Sequence, residues 1–193
     1  GGGRARGAGG ERHRVRVLRG VLRRRARERG QAGGGGRDVP DGARGAARLR
    51  ARARELRNKT KILILCNPNN PTGVSYTQKQ LIDIVKVLEK YPSIYIISDE
   101  IYDGLIHEGI CTSIASFTQL KNRLILIGGF SKTYSMCGYR LGFIASNTNI
   151  IQYLCKIQSQ TISCPSSISQ YSALAAFNND IDEWILSQRN VLI

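Results

Sequence analysis

Four short apolar runs constrain this chain more than any other feature: Lys61–Cys66, Ile94–Ser98, Leu124–Gly128 and Gly142–Ala145. Each is short, and the first three are rich in Ile and Leu with flanking turn residues, the pattern of buried strands. Between the first two runs the period changes from two to 3.6. Leu81, Ile82, Ile84, Val85, Val87 and Leu88 then share a helical face, Thr77 supplies an N-cap and Gln80 completes a capping box. Pro92 is expected to stop that helix. Two further helices are predicted. One starts near Asn149 and carries Ile150, Ile151, Leu154 and Ile157; the other runs from about Ser166 to Phe177 through Ile168, Tyr171, Ala173 and Leu174. Strand and helix in alternation imply an α/β fold with parallel strand pairs.

Charge divides the chain sharply. The net charge of the 193 residues is +15, but residues 1–57 hold eighteen arginines, no lysine and five acids, a net of +13, so the remainder is nearly balanced. This leader is built mainly of Arg, Gly and Ala, without Ser, Thr, Ile or any aromatic residue. Such a composition buries little apolar area, so disorder is expected, or at most a loose helix such as Val15 to Arg29. A nucleic-acid-binding arm would normally interleave aromatics for base stacking, and an organelle transit peptide would carry Ser. GC-rich codons read out of frame give the same composition and account best for the abrupt change near Leu56-Arg57-Asn58. Five cysteines without a Cys-x-x-Cys pair and only two histidines, His13 and His107, argue against a zinc site or a disulfide framework. A reducing, cytoplasmic setting is expected. No run is long enough to span a membrane, and no secretory signal pattern opens the chain.

The ends of the strands carry the chemistry, because ligands of open α/β sheets gather beyond the carboxyl ends of the strands. The first ends in Asn67-Pro68-Asn69-Asn70-Pro71-Thr72-Gly73, the second in Ser98-Asp99-Glu100-Ile101-Tyr102, and the third in Gly128-Gly129-Phe130-Ser131-Lys132. Arg140 follows on the same loop, before the fourth strand. Lys132 can attack an aldehyde once it is neutral. Asp99, leaving a buried strand, carries its charge only against a cationic partner. Arg140 offers a planar fork suited to phosphate, and Tyr102 and Asn70 can hydrogen-bond a phenolate-like oxygen. Taken singly, each has an ordinary explanation: a surface lysine, a helix cap, a core-edge phenol, a turn amide, an ion-paired arginine. Together they supply what pyridoxal phosphate requires, namely partners for an aldehyde carbon, a ring nitrogen, a ring oxygen and a phosphate. Glu100 reads as structural, Cys137 as a small filler of the lysine loop, and the two histidines as solvated.

The segments "NPNNPTG", "SDEIYDGL" and "GGFSKTYSMCGYRLGFIAS" resemble the cofactor-site segments of class I aminotransferases, pyridoxal-phosphate enzymes of fold type I. "KIQSQTISCPSSISQYSALAAF" is similar to the segment that follows in bacterial-type aspartate aminotransferases. The resemblance covers about residues 56–193. It implies a three-layer α/β/α architecture with a mostly parallel sheet, residues 58–193 being part of the large domain. It also implies transfer of an amino group from an amino acid, aspartate-type or broader, to a 2-oxo acid, with pyridoxal 5'-phosphate as cofactor and a homodimer as the complete enzyme. By the same resemblance Lys132 holds the cofactor and moves the substrate α-proton, and Asp99 keeps the ring nitrogen protonated. Tyr102 and Asn70 hold the ring oxygen, and Arg140 and Ser131 grip the phosphate. The Asn70–Pro71 bond is expected to be cis, and Gly73 lets the chain turn. No metal is implied.

This sequence departs from the pattern at Gly129, where many relatives carry a hydroxyl three residues before the lysine. The family's early Gly-containing phosphate loop and stacking aromatic would lie before residue 56, and its carboxylate-binding arginine beyond Ile193. The sequence is therefore expected to be a fragment or a mis-assembled gene product of such an enzyme, with doubtful activity of its own. Two alternatives stand beside this reading: another fold type I enzyme such as a β-lyase, and an inactive fragment whose Arg-rich leader binds nucleic acid.

Overall fold

The computed structural model describes residues 17–19, 60–106, 110–177 and 181–191. Its centre is a five-stranded sheet in which the strands lie in sequence order. They are β1 (Val17–Arg19), β2 (Ile62–Cys66), β3 (Tyr95–Asp99), β4 (Leu124–Gly129) and β5 (Gly142–Ser146). The first four are mutually parallel and β5 runs antiparallel to β4. The four apolar runs of the sequence thus match β2 to β5 to within one residue at each end. β1 differs from expectation. Val17-Leu18-Arg19 falls inside the stretch read as a loose helix, yet it pairs with Ile62–Ile64 along the edge of β2. The edge of β2 offers backbone groups for pairing, and β-branched Val17 suits a strand. The rest of the leader, His13, His107 and the composition break near Leu56 lie outside the described residues.

Helix α1 (Gln78–Leu88) connects β2 to β3. Its N-terminus is the predicted capping box: the Thr77 side chain accepts from the Gln80 N–H, and the Gln80 side chain accepts from the Thr77 N–H at 2.8 Å. The helix ends at Leu88, before Pro92 is reached. Arg123 accounts for this. Its guanidinium donates to the carbonyls of Leu88 (2.8 Å), Tyr91 (2.8 Å) and Ile94 (2.9 Å), closing the helix and the turn into β3. Leu81, Ile84, Val85 and Leu88 of α1 pack with Leu65 of β2 and with Ile94 and Ile96 of β3's segment. Ile114, Leu120 and Leu124 complete this core. Each fully buried aliphatic side chain there contributes roughly 1.5–3 kcal/mol relative to exposure.

Three 3-10 turns, Asp103–Leu105, Ile114–Ser116 and Thr118–Arg123, link β3 to β4 in place of a long helix. After β5 come α2 (Thr148–Thr161), α3 (Ser167–Ala173) with a 3-10 extension Leu174–Phe177, and α4 (Ile181–Val191). Asn147 caps α2 and Ser166 caps α3, so both predicted helices form close to their expected starts. No helix among the described residues is long and apolar enough to cross a membrane.

Candidate functional site

The sheet register brings the motifs to one edge. Cys66 pairs with Asp99, and Asp99 pairs with Ile127, so β2, β3 and β4 end side by side. Two backbone bonds continue the ladder past the ends: Asn67 N–H to the Asp99 carbonyl (2.9 Å) and Glu100 N–H to the Ile127 carbonyl (2.9 Å). Asp99 is therefore flanked by the start of the Asn-Pro loop on one side and by the start of the lysine loop on the other.

Two buried polar residues hold these loops. Asn67 is fully buried, and its amide oxygen accepts from the Tyr76 N–H (2.8 Å) and the Ser75 hydroxyl (3.2 Å), while its amide nitrogen donates to the Thr112 carbonyl (3.2 Å). This ties both ends of the Asn-Pro loop to the β3–β4 connection. Glu100, read from sequence as structural, is buried and accepts from the Ser98 hydroxyl (2.8 Å) and the Ile114 N–H (3.2 Å) on one carboxylate oxygen. A satisfied buried network of this kind fixes one loop geometry. Asn67 was missed in the sequence; the signal present was an amide placed directly after a buried strand. The Asn70–Pro71 bond is cis as expected, and so is Asn67–Pro68; Gly73 has φ +67°, the left-handed region that glycine enters without strain.

The structure brings Lys132, Tyr102 and Asn70 together. The Asn70 amide nitrogen donates to the Tyr102 hydroxyl at 2.7 Å, across 32 residues of sequence. The Lys132 Nζ lies 5.8 Å from the centre of the Tyr102 ring, close enough for a cation–π contact. Asp99 stands at the same edge, half-buried, with one carboxylate oxygen accepting from the Ile101 N–H (3.3 Å). A cavity of about 650 Å3 opens beside the Asn70–Tyr102 pair, lined in part by Pro68, Gly73, Leu105 and Ile106.

Thr133 stitches the Tyr102 turn to the lysine loop. It is buried, its hydroxyl lies 3.4 Å from an Asp103 carboxylate oxygen, and Gly104 passes so close that a Cβ there would stand 2.2 Å from the Thr133 methyl. The lysine loop itself closes through Phe130 N–H to Leu141 carbonyl (3.3 Å) and Met136 N–H to Phe130 carbonyl (3.2 Å). Cys137 is exposed rather than a filler: its thiol donates to the Ser131 carbonyl (2.8 Å), and its sulfur sits 4.0 Å from Lys132 Nζ. Arg140 has φ +55°, and its guanidinium folds back to donate to the Cys137 carbonyl (2.9 Å), so it is engaged with its own loop rather than with another of the predicted site residues. Ser131 lies next to Lys132, half-buried. At Gly129 a Cβ would meet Gly142 Cα and Ile101 Cδ1 at 3.0 Å. Glycine there lets β4 and β5 approach closely.

The edge thus joins an amine to an amide-bound phenol, with a carboxylate on the adjoining strand end, while the Arg140 guanidinium stays on its own loop. No group of three or more His, Cys, Asp or Glu able to hold a metal ion occurs among the described residues. Comparison with known proteins gives consistent results. The family profile for aminotransferase class I and II matches residues 44–190. An aspartate aminotransferase of Thermotoga maritima is 42% identical over 125 residues, which cover 65% of this chain and 33% of that protein. A Petunia hybrida enzyme, a bifunctional aspartate aminotransferase and glutamate/aspartate-prephenate aminotransferase, is 44% identical, with coverage of 63% and 26%. The crystal structure of the aromatic aminotransferase of Pyrococcus horikoshii superposes with a TM-score of 0.70 at 33% identity, covering 74% of this chain and 38% of that one. The chain spans about a third of the length of the curated relatives it matches.

Proposed function

This chain belongs to the class I and II aminotransferase family, and from that premise we propose that its site serves amino-group transfer from an amino acid to a 2-oxo acid with pyridoxal 5'-phosphate as cofactor. The observation that carries the reading is the joining of Lys132, Tyr102 and Asn70, from three distant segments, at the carboxyl edge of a parallel sheet. The donor set fits the cofactor by chemistry. Lys132 is the amine for its aldehyde, Asp99 the acid for its ring nitrogen, Tyr102 with Asn70 the pair for its ring oxygen, and Arg140 with Ser131 the grip for its phosphate. When bound, pyridoxal phosphate supplies a carbonyl carbon and an electron-accepting ring.

The protein's own part follows from the geometry. Because Asn70 donates to the Tyr102 oxygen, the Tyr102 hydroxyl hydrogen is free to point at a second acceptor, which suits an anionic ring oxygen. Asp99 is held by the Ile101 N–H at one oxygen and keeps the other for a protonated ring nitrogen, whose positive charge would offset the cost of its partial burial. Lys132, as a neutral amine, would move the proton from the substrate α-carbon. Donors of aspartate type or broader range suit the reading, as the relatives named above act on aspartate, prephenate-linked or aromatic substrates. Large apolar side chains that stand exposed, Tyr153 and Phe177 among them, support a homodimer as the working unit.

The test is amino transfer by the whole chain, supplied with pyridoxal phosphate, from aspartate or an aromatic amino acid to 2-oxoglutarate. The reading expects keto-acid formation that disappears in Lys132→Ala. Release of ammonia and pyruvate from a β-substituted donor, without transfer, would favour the lyase alternative instead.

A further inference from the structure

Helix α3 is exposed along most of its length, yet Ser169 on it is buried, at 7% exposure. Its hydroxyl donates to the Tyr139 carbonyl at 2.8 Å, a contact spanning 30 residues. Tyr139 ends the 3-10 turn Cys137–Tyr139, and the next residue, Arg140, adopts φ +55°. That conformation is unfavourable for a residue with a Cβ and persists only where its surroundings hold it. The Tyr139 carbonyl and the Arg140 N–H belong to a single planar peptide unit. Fixing the carbonyl fixes the plane about which φ of Arg140 is measured. Two further bonds act on the same turn: Tyr139 N–H to the Met136 carbonyl (3.1 Å), and the Arg140 guanidinium to the Cys137 carbonyl (2.9 Å). Both are local to the loop. Ser169 is the link that ties the turn to a separate helix.

We infer that Ser169 is a positioning residue for Arg140: by pinning the Tyr139–Arg140 peptide plane to α3, it fixes the backbone from which the guanidinium would reach the cofactor's phosphate ester. The pin stands on geometry alone, whereas its phosphate target rests on the proposed function. A hydroxyl-to-carbonyl bond of this sort has a net worth that corresponds to about threefold to tenfold in an equilibrium constant.

The experiment has two arms, both on the whole chain. In the first, no cofactor is added and the rate of trypsin cleavage after Arg140 is compared with cleavage after Lys156. Ser169→Ala should raise the relative rate about threefold to tenfold, and Ser169→Thr, which keeps a hydroxyl, should restore it. An unchanged rate in Ser169→Ala overturns the pin. In the second arm, binding of pyridoxal phosphate and of pyridoxal is followed by absorbance. Ser169→Ala should weaken the phosphate ester several-fold and leave pyridoxal unaffected. Equal weakening of both would show general loosening of the fold and overturn the positioning role. An unsubstituted chain that does not prefer the phosphate ester would overturn the phosphate target, while the trypsin arm separately decides the pin.

Discussion

The two flanks of the sheet are built differently. Around β2, β3 and α1, eleven side chains form one buried cluster, and the polar groups among them are satisfied. Around β5, α2 and α3 the same kinds of side chain face outward. Helix α2 contributes no buried residue, and Tyr171, Ile168 and Phe177 are each more than 70% exposed. The first flank behaves as the core of a finished domain. The second has amphipathic helices whose apolar faces the described residues leave largely uncovered. The candidate site lies between them: Asn70, Asp99 and Tyr102 come from the packed flank, and Lys132 and Arg140 from the β4–β5 loop that leads to the open one.

The largest contrast should come from truncating matched side chains. Leu81→Ala on α1 empties fully buried volume and should cost about 2–5 kcal/mol in urea unfolding, whereas Ile157→Ala on α2 should change stability by no more than about 0.5 kcal/mol. Equal effects would erase the distinction between the flanks. Next in size is Arg123→Met. It leaves the carbonyls of Leu88, Tyr91 and Ile94 without their donor and should cost about 1.5–3 kcal/mol, with faster amide exchange at the end of α1. Glu100→Ala strands the Ser98 hydroxyl and the Ile114 N–H and should cost about 1–3 kcal/mol. It should also loosen Asp99 and Tyr102, seen as weaker retention of pyridoxal phosphate.

The smallest effect is a matter of pH. Burial raises the thiol pKa of Cys66 and Cys111 above the ordinary value of 9.0, with neighbouring carboxylates adding to the shift. Folded thiols that hold their protons more tightly than unfolded ones contribute stability below the ordinary thiol pKa and lose it as pH rises through the folded value. The packed flank should therefore weaken as pH rises above the ordinary thiol value of 9.0 towards the folded value. Iodoacetamide at pH 8 should label exposed Cys155 and Cys164 before Cys66 and Cys111.

Much of this arrangement was legible in the sequence, for physical reasons. β2 to β5 were readable because apolar runs of five or six residues between turn signals leave few alternatives, and α1 because its capping box and 3.6 period agree. That Asn70, Asp99, Tyr102 and Lys132 meet at one edge was readable because strand ends of a parallel sheet converge whatever the side chains are. What stayed hidden depended on contacts between distant positions. Arg123 looks like any surface arginine until three carbonyls of the α1–β3 turn surround it. Ser169 is one serine among several in "CPSSISQYS", and only its partner Tyr139 singles it out. A small residue in a Gly-rich loop suggests packing, so Cys137 reads as filler, yet the loop turns it outward. β1 was misread because its pairing depends on the open edge of β2, which no local pattern in the leader announces.

The central claim is that Lys132 is the amine that holds the cofactor. The direct measurement is to incubate the whole chain with pyridoxal phosphate, reduce with borohydride and locate the attached group by peptide mass spectrometry. A single phosphopyridoxyl group on Lys132 is the predicted result. Label spread over Lys121, Lys156 and other exposed lysines, with none enriched at Lys132, would contradict it.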